Sequence, residues 1–355
     1  MSLNEIFAAD RRVIARGGVV PTNAGPCRGW FSDLAERVLD LFKVLSNGVL
    51  AIPQPHVDFV ASRRVSAFAF AASNSRFIAL HTGIVEMFWT YNLLLSTPNV
   101  LRRIGNARLE RAHDVVNLRD IPTNPKSTIR KPFDPVRAEF AEQLSMICFD
   151  FLAAHEIAHI LHGHLEFLAA HSPIDSLTHH ALELDADHFA VNIILNEIFG
   201  FVKQRRTLPE LLAEIYSTER DALFVGVFAL CVLYRLQWLH DTTFWNIQNP
   251  EKSHPTHPPM PIRTMSLLAC ISARIQHDNQ LIHLPRRFRT VTTMGGIHAE
   301  LGLQRIRGAP LKVPDGFWAI GSPPTLEYVE RVNKRWTEIR PELQTLSHLP
   351  LPEVG

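Results

Sequence analysis

His155-Glu156-Ile157-Ala158-His159 is the stretch on which the reading of this chain turns. In an α-helix, residues four apart lie one above the other. The two imidazoles therefore share a face, and a carboxylate sits beside the first of them. The pattern offers a metal ion two nitrogen ligands and supplies a glutamate to take a proton from water. With 18 histidines in 355 residues such a pattern can arise by accident, so the flanking sequence has to carry it.

The flanks predict one long buried helix. Asp134-Pro135 is a start signal, an N-cap residue followed by proline at the first helical position. No proline follows from Val136 to His164, and Gly163 stands where a helix can stop. Phe140, Leu144, Ile147, Phe151, Ala154, Ala158 and Leu161 recur at steps of three and four. The motif thus falls in the last turns of that helix.

A third ligand is needed. Extending the pattern to H-E-x-x-H-x-x-G-x-x-H would require glycine at position 162 and histidine at 165. The chain has His162 and Leu165, with Gly163 and His164 out of phase. The segment Ala181 to Ala190 offers a glutamate instead. Glu183 and Asp187 are four apart and share a helix face. Glu183 is expected to reach the metal, and Asp187 to accept a hydrogen bond from the outer nitrogen of a ligating histidine. Asp185 is expected to point away, to the surface. A loop around Ser172 to Asp175 would let the two helices pack antiparallel. His162, His164, His171, His179, His180 and His188 crowd the same region. They read as core or surface histidines, with a second metal left open.

On these residues the chain resembles a gluzincin metallopeptidase. Glu183-Leu184-Asp185-Ala186-Asp187 is similar to the E-x-x-A-D element of the HtpX and CAAX-prenyl-protease family. Val65 to Phe70 and Arg76 to Val85 resemble that family's N-A-F-A and I-x-x-T-x-G-L-L elements, a β-hairpin edge leading into a helix; Ser66 stands where the family has asparagine. Ser253 to Arg263 resembles its S-H-P-P and R-I elements. The resemblance covers roughly residues 55 to 270. The family carries transmembrane helices. Here only 24 positions separate His159 from Glu183, a gap closer to soluble peptidases of the ImmA/IrrE type and the Lit (phage-exclusion) type.

The resemblance implies an α+β, mainly helical fold: a zincin-like catalytic domain with a small β-sheet edge before the active-site helix. It implies a zinc-dependent endopeptidase, with Zn2+ held by His155, His159 and Glu183 and Glu156 as general base. His257 would donate to the developing oxyanion; His254 competes, but the spacing of His257 to the arginine fits better. Arg263 would brace the zinc-binding glutamate or the substrate. A protein or peptide substrate would lie along residues 77 to 82 as an added strand. The alternative is an autoinhibited or regulatory protein on the same scaffold: a sensor, toxin or phage-defence protease active only on a specific partner. The intact Glu156 favours turnover, since a pure binder has no need of that base.

Composition sets the remaining bounds. Apolar content of 46% with 20% charged residues reads as globular, and the net charge of +1 gives no general pull toward nucleic acid or anionic membranes. Arg286-Arg287-Phe288-Arg289 reads as a solvated patch. Cys27, Cys148, Cys231 and Cys270 form no C-x-x-C pair and read as thiols in a reducing compartment. The strongest apolar run, Ala222 to Tyr234, is 13 residues, too short to span a bilayer. With no signal-peptide pattern at the N-terminus, these features predict a cytoplasmic protein without a membrane span. The expected organisation is an N-terminal helical segment (1–54), the catalytic domain (55–275) and a C-terminal extension packed on it (276–355). Residues 96–134 would be a long loop or lid over the cleft.

Overall fold

The computed structural model describes residues 1–20, 28–48, 52–110, 131–208, 213, 215–240, 256–277, 285–307 and 320–352. Helices dominate, with one three-stranded sheet. In chain order the elements are α1 (Leu3–Ala9), α2 (Arg11–Ile14), α3 (Arg28–Leu45), β1 (His56–Val60), β2 (Ala67–Ala72), β3 (Ser75–His81) and α4 (Ile84–Leu95). There follow α5 (Pro135–Leu161), α6 (His164–Ala170), α7 (Ser176–Lys203), α8 (Glu219–His240), α9 (Met260–His277), α10 (Pro285–Arg307) and α11 (Pro323–Leu346).

The long helix is α5. Asp134 caps it by accepting from the Arg137 amide, and Pro135 opens its first turn. From Cys148 to Leu161 every residue is buried, so the motif-bearing half is enclosed on all sides. Helices α3, α4, α7 and α8 and strand β2 surround it. By length and apolarity α5 and the stretch Glu219–Trp238 of α8 could cross a membrane, but 94% and 78% of those windows are buried inside the protein. The stretch in α8 is longer than the 13-residue run suggested because polar Glu219 to Asp221 open it.

The sheet order is β1-β3-β2. β3 runs parallel to β1 and antiparallel to β2, joined to β2 by the two-residue turn Ser73-Asn74 with φ of 49° and 61°. Residues 77–81 are therefore the centre of the sheet, not its edge, which corrects the expected position of the substrate strand. The reason lies in pairing. Phe59, Ala67, Ile78 and Leu80 face the helical core, while Phe70, Phe77 and Ala79 face Phe7 and Val13 of α1 and α2. All three strands are covered on both faces, and β3 is the central one because it pairs with β1 on one side and β2 on the other. The edge nearest the motif is β2, which packs on α5.

The 96–134 segment also departs from expectation where it is described; residues 111–130 lie outside the described residues. Arg137 is fully buried and donates to the carbonyls of Leu95, Thr97, Val100, Leu101 and Ile104, winding the segment around one guanidinium. Glu110 accepts from the amides of Phe133 and Asp134, tying the two described ends together. They meet at the start of α5, about 30 Å along the helix from His155, so this part does not cover the motif.

At the other end of α5 the C-terminal segment closes the structure. α11 packs on α6, α7 and α9 and continues through Pro341 well beyond the Thr325 to Trp336 stretch that the sequence suggested. The His348 amide then donates to the Leu161 carbonyl at 2.8 Å, capping the end of the motif helix.

Candidate metal centre and active site

His155 and His159 project from α5 toward Glu183 on α7. Their Nε2 atoms are 3.2 Å apart. Glu183 Oε2 is 3.3 Å from His155 Nε2, and Oε1 is 3.5 Å from His159 Nε2. Nitrogen or oxygen ligands about 2.0–2.1 Å from a tetrahedral ion sit about 3.4 Å from one another, so all three separations match the edges of a coordination tetrahedron. Glu183 Oε2 is buried with no hydrogen-bond partner among the described residues, an orphan that an ion would satisfy. The three residues form a group able to hold a metal ion.

The electrostatics point the same way. Burial opposes charge on His155, yet Asp187 and Glu183 beside it raise its pKa to about 10. Burial pushes the Glu183 carboxyl up, but His257, His155 and His159 hold it well below the usual range. The pocket demands positive charge, and a cation can take the place of a proton there.

The outer nitrogens are fixed. His155 Nδ1 donates to Asp187 Oδ1 at 2.9 Å. Arg263 on α9 grips Asp187 with two bonds of 2.8 and 2.6 Å and reaches Gln237 at 3.1 Å, its guanidinium lying 4.7 Å over the Tyr234 ring. Burial alone would raise the Asp187 pKa, but Arg263 and His155 bring it down to about 2. Arg263 thus braces Asp187, and through it His155. Of the two partners expected for it, Glu183 and the substrate, Glu183 receives none of its hydrogen bonds, which go to Asp187 and Gln237.

Glu156 lies beside the cluster with 5% exposure, near the Ala69 amide of β2, which favours its charged form. Its pKa is raised to about 7 by burial and by Glu183, against the pull of His155, that amide and Arg263. His257 comes from the turn before α9. Its Nε2 is 3.6 Å from Glu183 Oε2, and its side chain is 55% exposed, so it stands on the open side. Thr256 Oγ1 bonds its Nδ1 at 2.8 Å, which directs the Nε2 face to the site. His254 lies outside the described residues.

Next to this centre is a second histidine cluster that the sequence reading left open. His162 Nδ1 is 2.5 Å from Asp185 Oδ2, His164 Nε2 is 3.1 Å from the same oxygen, and His164 Nδ1 is 2.9 Å from His159 Nδ1. Asp185, expected at the surface, is 4% exposed. The missed signal was its setting: a carboxylate between Leu184 and Ala186 in an apolar stretch needs buried donors, and His162 and His164 were the nearest candidates in the chain.

The fold and site together describe a mainly helical protein with a buried cluster fit for a metal ion. Among known families, the model of Peptidase U49 matches residues 99–283, just over half of the chain, and includes every candidate site residue named above except Ala69. The chain belongs to the Peptidase U49 family, and it is a peptidase in that general sense. No curated protein and no solved structure matches it.

Proposed function

We propose that this protein is a zinc-dependent endopeptidase of the gluzincin kind. The observation that carries the reading is the triangle of His155 Nε2, His159 Nε2 and Glu183 with sides of 3.2–3.5 Å, beside a buried glutamate. Two imidazoles and one carboxylate are a donor set suited to zinc with a position left open. When bound there, Zn2+ supplies a Lewis acid for the scissile carbonyl and eases deprotonation of water.

The chain's own residues do the rest. Glu156, its pKa raised to about 7 by burial, accepts the proton of the attacking water and returns it to the leaving amine. His257 donates through Nε2 to the oxygen that gains charge; one such donor lowers the barrier by about 3 kcal/mol. The substrate reading moves to β2. In a hairpin closed by a two-residue turn, Phe68 and Phe70 pair with β3, and the main-chain groups of Ala67, Ala69 and Ala71 point to the open edge. An extended peptide added there would pass the Glu156 carboxylate. Cys148, Cys231 and Cys270 are free thiols, in keeping with a reducing, cytoplasmic setting.

The test is zinc content and proteolysis of wild type, Glu183→Ala and Glu156→Gln. About one zinc per chain in wild type and in Glu156→Gln, none in Glu183→Ala, and proteolysis by wild type alone are expected. Full proteolysis by Glu156→Gln would remove Glu156 as the base. Zinc retained by Glu183→Ala would break the ligand assignment.

A further inference from the structure

We propose that His164, Asp185 and His162 are a proton-ordered relay that positions His159 as a ligand, and are not a second metal site. The proposal rests on reading the first centre as a metal site. Because His159 Nε2 faces His155 and Glu183, its ring proton belongs on Nδ1, where His164 Nδ1 at 2.9 Å receives it. That nitrogen must then be a bare lone pair, so the His164 proton sits on Nε2 and is donated to Asp185 Oδ2 at 3.1 Å. The same oxygen accepts from His162 Nδ1 at 2.5 Å. Each contact has one donor and one acceptor, with no proton missing or in surplus.

Burial makes this order binding. His159, His162, His164 and Asp185 are exposed by 8%, 2%, 0% and 4%, so bulk water does not compete for these bonds. His162, His164 and Asp185 could also hold an ion, but an ion would keep its ligand atoms about 3.4 Å apart, and His162 Nδ1 lies only 2.5 Å from Asp185 Oδ2. One oxygen, Asp185 Oδ2, serves both donors.

The backbone is shaped for the relay. Gly163, with φ of 72°, turns the chain so that His162 and His164 approach Asp185 together. The relay gives His159 what Asp187 gives His155 directly: a carboxylate behind the imidazole, here transmitted through a second ring. Such outer partners are worth roughly 10- to 100-fold in metal affinity.

The experiment uses the full chain with Zn2+ as the probe: stoichiometry by elemental analysis, affinity by chelator competition, and the absorption spectrum of the Co2+ form. His164→Phe leaves the His159 proton without an acceptor and should weaken zinc by about 10- to 100-fold and shift the Co2+ bands. His164→Gln offers an amide oxygen at that place and should recover part of the loss, which a merely structural role would not predict. Asp185→Asn should fall between wild type and His164→Phe. Wild type should hold one zinc per chain.

Two zincs per chain, one of them lost in His162→Phe, would overturn the relay in favour of a second metal. So would wild-type affinity and spectrum in His164→Phe or, should that variant not fold, in Asp185→Asn. In that last outcome loss of zinc from Glu183→Ala still upholds the first centre. Absence of zinc from wild type would end both readings.

Discussion

Two clusters of two histidines and one carboxylate lie side by side here, and they solve opposite problems. In His155, His159 and Glu183 the outer nitrogens are already committed, to Asp187 and to His164. The inner atoms converge 3.2–3.5 Å apart, the spacing of ligands around one ion. In His162, His164 and Asp185 the ring protons point inward and the carboxylate collects them at 2.5 and 3.1 Å. Residue types and burial are the same; the difference is where the protons are sent. A buried histidine cluster becomes a metal site when its neighbours take the protons away, and a hydrogen-bond network when they do not.

The strongest way to break this contrast is to remove the anchor of Asp187, the group that draws a proton outward from the first cluster. Arg263→Met leaves the Asp187 carboxylate buried without the cation that held it by two bonds of 2.6 and 2.8 Å. Breaking such a pair from one side costs about 3–5 kcal/mol. Urea unfolding of the metal-free protein should show a loss of that size, and zinc affinity should fall with it because His155 is no longer oriented. A metal-free stability equal to wild type would mean that Asp187 is not anchored as described.

Much of this arrangement was legible in the sequence, and what was missed shares a cause. Helix α5 announced itself through Asp134, Pro135 and its apolar period, all local signals that the structure reproduces. Glu183 and Asp187 were legible because spacing by four fixes a shared face. The place of β3 was not, because strand order is a long-range property; still, the near-continuous apolar run Phe77-Ile78-Ala79-Leu80 already carried the mark of a strand buried on both sides. Asp185 was misplaced because an acidic residue beside two others reads as a solvated face until the partners across α5 and α6 are known. Of the loop before α5, the described residues 96–110 and 131–134 gather at the start of that helix, away from the motif; residues 111–130 lie outside the described residues.

Gly163 sharpens the comparison, since it sits in the chain between the two histidines of the relay and is next in sequence to none of the three proposed ion ligands. At φ of 72° an added Cβ would meet the Leu346 carbonyl oxygen at 2.6 Å, which is backbone and cannot swing aside. Gly163→Ala should therefore cost about 1–3 kcal/mol. It should also weaken zinc more than a distant substitution of equal destabilisation, because moving the 162–164 turn moves His164 away from His159. Equal zinc affinity at reduced stability would detach the turn from the metal centre and leave it a packing device.

His81 offers the smallest and cleanest contrast, a buried imidazole that belongs to neither cluster. It is 3% exposed on β3, and neither ring nitrogen has a hydrogen-bond partner among the described residues. Burial, with Arg16 and Arg64 nearby, pulls its pKa from 6.5 to about 3. Between those values the unfolded chain takes up a proton that the folded chain refuses, so this residue makes stability fall as the solution is acidified from 6.5 toward 3. His81→Phe keeps a ring beside Phe68, now 5.7 Å away, and removes two unsatisfied polar atoms. It should gain about 1 kcal/mol at neutral pH, where the histidine is uncharged and its only burden is lost hydration. Across the acid window the stability of the variant should change with pH by up to one proton less than that of wild type. An unchanged slope would mean that the His81 ring reaches a proton in the folded state. In that case a histidine with no acceptor would not behave differently from one that sends its proton to Asp185.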